Sequence, residues 1–80
     1  MTAPQTRRKT KLVDRLASGE FVDGAAPVYL GDEIIATIYR TPGWFDAEVL
    51  GEPWAGGKTM KQTLGAVATA YQQLTGQWEA

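Results

Sequence analysis

The chain has 80 residues, eight Lys and Arg against nine Asp and Glu, and a formal net charge of −1. That length makes one domain, and an apolar fraction of 44% is ordinary for a folded one. Cysteine and histidine are both absent, which removes disulfides, thiolate ligands, the commonest metal ligand and the commonest general base.

Only carboxylates remain to hold a metal, and no run of them converges on one loop, so no metal or cofactor is expected. No apolar stretch is long enough to span a bilayer, so no membrane partner is expected. None follows Arg7-Arg8-Lys9 in the manner of a signal peptide. The expectation is a soluble, cytoplasmic protein.

Charge is unevenly spread. Up to Arg15 the bases are Arg7, Arg8, Lys9, Lys11 and Arg15, and the only acid is Asp14. Beyond it, eight acids face three bases. The pattern is a basic arm on an acidic body.

Residues 1–6 are polar and read as a disordered tail, with residues 7–80 as a single α+β domain. Residues 7–18 suit a short helix, with Leu12, Val13, Leu16 and Ala17 on one face and Gly19 as its stop. Asp23-Gly24 signals a turn. Val28-Tyr29-Leu30 is a short strand, and Gly31-Asp32 suits a two-residue hairpin. Residues 33–40 are rich in β-branched side chains and make the strongest strand. Pro42-Gly43 has type II turn chemistry, which fits a two-residue hairpin poorly and suggests a wider loop. Residues 44–50 return as a strand.

An even-length loop sets Ile38 opposite Ala47 and Ala36 opposite Val49. One face then carries Ile34, Ala36, Ile38, Phe45, Ala47 and Val49. The other carries Ile35, Thr37, Tyr39, Trp44, Asp46 and Glu48. Residues 51–57 read as a loop or ragged edge strand, because Pro53 is barred from a sheet interior.

The last helix spans Thr59 to about Thr75. Met60, Leu64, Val67, Ala68, Tyr71 and Leu74 form its apolar stripe. Thr59 and Gln62 have capping-box spacing, and Gly76 suits the left-handed stop. Trp78 lies in a tail able to fold back. The order is α-β-β-β-α: a three-stranded antiparallel sheet packed against a C-terminal helix.

Chemistry is sparse. Gly56-Gly57-Lys58-Thr59 evokes a phosphate loop, but the required earlier glycine is replaced by Glu52. A helix N-terminus beside Lys58 and Lys61 could still hold one phosphate. Ser18 is the only serine and has no base, so a hydrolase triad is excluded. Asp46 and Glu48 share a strand face, yet a small open sheet offers no cleft for acid–base work. A non-catalytic protein is expected.

Two readings of the surface follow. Tyr39, Trp44, Asp46 and Glu48, with Trp54 beside them, could anchor a basic protein partner, or the first helix could cover the aromatics as second-layer core. Arg7, Arg8, Lys9, Lys11, Arg15, Lys58 and Lys61 could touch the phosphates of DNA or RNA, or the arm could be solvated. Oligomeric state, a homodimer included, stays open.

Several pieces from Ile34 to Leu74 bear a family likeness. They are the strand Ile34–Tyr39, the turn Pro42-Gly43 and the aromatic-led strand Trp44-Phe45-Asp46-Ala47-Glu48-Val49. The loop Gly51-Glu52-Pro53-Trp54 and the start Gly57-Lys58-Thr59-Met60 follow, then Leu64, Val67 and Tyr71. Together they resemble the HicB-like antitoxin domain, over about half the chain. Lys58 and Lys61-Gln62-Thr63 depart from that family's acidic pattern, and no DNA-binding domain follows the helix. The resemblance implies an antitoxin or inhibitor that docks a toxin, here a basic nuclease. A basic arm contacting DNA would extend that role to repression of its own operon. The α-β-β-β-α order is also similar to double-stranded-RNA-binding domains, of which Lys58 and Lys61 are a thin echo.

Overall fold

Alternating apolar residues from position 25 to 57 build strands, and tight turns fold each strand back on the last. The computed structural model describes residues 12–76. In chain order the elements are α1 (Leu12–Arg15), β1 (Leu16–Ser18), β2 (Ala25–Leu30), β3 (Glu33–Thr41), β4 (Trp44–Val49), β5 (Glu52–Gly57) and α2 (Met60–Thr75). The strands form one antiparallel meander in the order β1-β2-β3-β4-β5.

This corrects the three-stranded expectation in two places. The first helix stops at Arg15, and Leu16–Ser18 runs extended as an edge strand against β2. Leu12 and Leu16 are both buried, and their spacing fits a helix turn as readily as a helix-to-strand passage. At the other edge, Glu52–Gly57 pairs along β4 as β5. Pro53 is tolerated there because an edge strand has only one neighbour.

The β3–β4 register follows the hydrophobic pattern, with Ile38 opposite Ala47 and Ala36 opposite Val49. The connecting loop is two residues, not wider: Thr41 pairs with Trp44 across Pro42-Gly43. Gly43 sits at φ 73, as position three of a type II turn requires. The Thr41 hydroxyl donates to the Trp44 carbonyl at 3.0 Å and closes the turn.

The expected sorting of Ile34 and Ile35 is reversed. A bulge at Val28/Tyr29 pairs Val28 with Ala36 but Tyr29 with Ile34. Ile35 is the extra residue, and the strand bends to turn it into the core. Ile34 is left outside, beside Tyr29.

The core lies between α2 and the inner face of the sheet. Val28, Ile38, Val49 and Val67 are fully buried there, joined by Ile35, Ala36, Ala47, Ala68 and Ala70. Thr63, Val67 and Ala70 run down the centre of the buried helix face. Thr63 can be buried because its hydroxyl donates to the Thr59 carbonyl at 2.7 Å. Leu74, expected in the stripe, is 41% exposed at the last turn.

Thr59 caps α2, accepting from the Gln62 N–H at 3.1 Å. The Gln62 side chain reaches one residue further back than a standard capping box, accepting from the Lys58 N–H at 2.9 Å. Gly76 ends the helix at φ 73. Phe21 packs against Phe45 with ring centroids 6.0 Å apart, and the Arg40 guanidinium lies 4.4 Å from the Phe21 centroid. That stack closes the core at the far end of β3.

Gly56 occupies the bulge of β5, where a Cβ would stand 1.9 Å from the Phe45 carbonyl oxygen and 3.2 Å from Thr63. A Cβ on Gly65, in α2, would meet nothing. Gly65→Ala is therefore expected to stabilise the fold by about 1 kcal/mol. Gly56→Ala is expected to cost roughly 3 kcal/mol or more through backbone displacement. Urea denaturation of both variants measures the contrast.

Candidate functional site

Side chains alternate across a strand, so those that leave the core must collect on the opposite face. On β3 and β4 these are Thr37, Tyr39, Trp44, Asp46 and Glu48. Tyr39 lies directly opposite Asp46, and Thr37 opposite Glu48. Tyr39 and Trp44 are 41% and 39% exposed, while Ile38 and Val49 behind them are fully buried. The first helix does not cover this face. α1 packs against α2, on the core side.

The Tyr39 hydroxyl donates diagonally to Glu48 Oε1 at 3.0 Å. That hydrogen bond, followed by the charge of Glu48 and slight desolvation, raises the Tyr39 pKa above its ordinary value. The contact orients both side chains and leaves the second Glu48 oxygen free of it. Between β3, β4 and β5 lies a shallow open depression of about 560 Å³, lined among others by Tyr39, Asp46, Glu48, Pro53 and Ala55.

Pro53 and Ala55 were not candidates from sequence. Their alternation with Trp54 carries the signal once residues 52–57 are taken as a strand. Trp54 corrects the expectation in the other sense. It pairs with Ala47, whose side chain is in the core, and it packs half-buried against the hydrophobic cluster. It supports the face from behind and does not belong to an exposed aromatic patch.

The basic set is not assembled. Arg7, Arg8, Lys9 and Lys11 lie outside the described residues, as do the tail 1–6 and Trp78. Of the rest, Arg15 is exposed just before the β1 edge, and Lys58 is exposed just after the β5 edge. Lys61 is exposed in the first turn of α2. These described bases therefore stand at opposite edges of the sheet. The Gln62 carboxamide already occupies the Lys58 N–H, and the Gln62 N–H is held by Thr59, so a phosphate at this helix start would have to displace the cap.

Among the described residues, no group of three or more carboxylates is placed to hold a metal ion. No helix among them is long and apolar enough to cross a membrane. No family model, curated protein or solved structure gives a significant match to the chain. The HicB-like resemblance thus rests on the residues quoted for it.

Neutral Tyr39 is favoured by its carboxylate acceptor, so its ionisation penalty should vanish with that charge. Glu48→Gln is expected to lower the Tyr39 pKa toward about 10. The associated stabilisation is fully present below the ordinary tyrosine pKa and is lost as pH rises through the raised one. Ring-carbon NMR shifts of Tyr39 followed against pH, in both proteins, test this.

Proposed function

We propose that the chain is a non-catalytic binding protein of the antitoxin or inhibitor type. Its acidic, aromatic sheet face docks a basic protein partner. One observation carries the reading: Tyr39, Trp44, Asp46 and Glu48 share a face left open by both helices, while the apolar residues behind them are sealed.

The chemistry supports binding over catalysis. Two carboxylates lie on a shallow, wet surface, where no wall excludes water from a reacting bond. Tyrosine and tryptophan offer large, stiff contact areas at low entropic cost. Asp46 and Glu48 beside them select for cations and steer a basic partner in. The same two carboxylates repel a phosphate backbone, so nucleic acid is disfavoured on this face. A basic nuclease is a partner of the matching charge.

The test is capture from the cells that make the protein, after nuclease treatment. Wild type is expected to retain a basic protein that the Asp46→Lys/Glu48→Lys variant loses entirely. Each reversed charge should cost about tenfold or more in affinity. Equal capture by both proteins contradicts the assignment of the face.

A further inference from the structure

The open face does not end at Glu48. Toward the β4–β5 turn it continues into Ile34 and Leu50, 58% and 48% exposed. With Thr37 and Glu48 they line a second depression of about 150 Å³. Glu48 borders both depressions, so the acidic surface runs without a break into an aliphatic one.

Leu50 is held at φ 51, in the left-handed region. A leucine is strained there, whereas asparagine before glycine suits this kind of two-residue turn. The turn therefore carries an exposed, strained aliphatic side chain where a polar one would fold better. Backbone strain combined with exposed apolar surface, next to a docking face, points to contact with a partner.

We infer that the partner's docking element is an amphipathic helix of about three turns, with an aliphatic side chain one turn away from two successive basic ones. This rests on the reading of the open face as the docking surface. β3 and β4 are paired on both sides, so no strand can add to them, and a sheet face closed by something other than a strand is closed by a helix. From Ile34 to Tyr39 the face runs roughly 17 Å at 3.3 Å per residue, which three helical turns of 5.4 Å span.

Along that line the order is Ile34 and Leu50, then Glu48, then Asp46 with Tyr39. Glu48 and Asp46, two residues apart on one strand, are separated by about 6.6 Å. Side chains four residues apart on a helix are separated by about 6 Å, so two bases at that spacing meet both carboxylates. The aliphatic residue one turn away then lands on Ile34 and Leu50. A second copy of this chain is not the occupant, because docking face to face would set acid against acid.

The probes are alanine-based helical peptides added to the 15N-labelled protein. One carries leucine, arginine and arginine at four-residue intervals. A second replaces the leucine with serine. A third scatters the same residues around the helix. The first is expected to bind about tenfold more tightly than the other two and to shift the amides of Ile34, Leu50, Asp46 and Glu48 together.

Leu50→Asn is expected to raise the melting temperature by roughly 4–8 °C while reducing the first peptide to the affinity of the second. Ile34→Ser is expected to cause the same loss of affinity. Equal binding of the first two peptides, with shifts confined to Asp46 and Glu48, overturns the helix inference and leaves the docking face standing. Equal binding of the scattered peptide also overturns it. No shift from any peptide overturns both. A lower melting temperature for Leu50→Asn removes the strain argument and overturns the inference.

Discussion

The close seating of α2 on β4 and β5 is the contact on which the remainder of the molecule depends. Small residues permit it. Ala47 on the sheet and Ala68 and Ala70 on the helix are buried in the seam, and Gly56 leaves space for the Phe45 carbonyl and Thr63. The helix can then approach until Val67 meets the core around Ile38 and Val49. A domain this short has few such residues, so each one matters to stability.

Sealing one face determines what the other can be. A strand alternates, so every side chain committed to the core commits its neighbours to the opposite side. Ile38 and Ala47 inside place Tyr39, Asp46 and Glu48 outside, and the Tyr39–Glu48 hydrogen bond then fixes how two of them are presented. The functional surface is thus a by-product of the core pattern, sharpened by one side-chain contact. Its acidity selects for cations, and its apolar end at Ile34 and Leu50 adds a demand for shape.

Much of this is legible from residues alone. The β3–β4 register, the cap at Thr59 and the stop at Gly76 each follow from local rules. The two edge strands are less legible. Leu12 and Leu16 have a spacing that helix and strand can both satisfy, and residues 52–57 contain a proline and two glycines that mask their alternation. Ile34 and Ile35 are chemically identical, so no pattern could say which of them the bulge would turn inward. Trp54 was misplaced for the same reason as β5: without the strand, its side could not be assigned.

The central claim is that one side of the sheet is sealed and the other is bare. A soluble paramagnetic probe, added to protein with labelled isoleucine and valine methyls and tyrosine rings, measures this directly. Strong broadening of Ile34 and Tyr39, with Ile38, Val49 and Val67 protected, is the result the account predicts. Protection of Tyr39, or broadening of Ile38 to the level of Ile34, would contradict it.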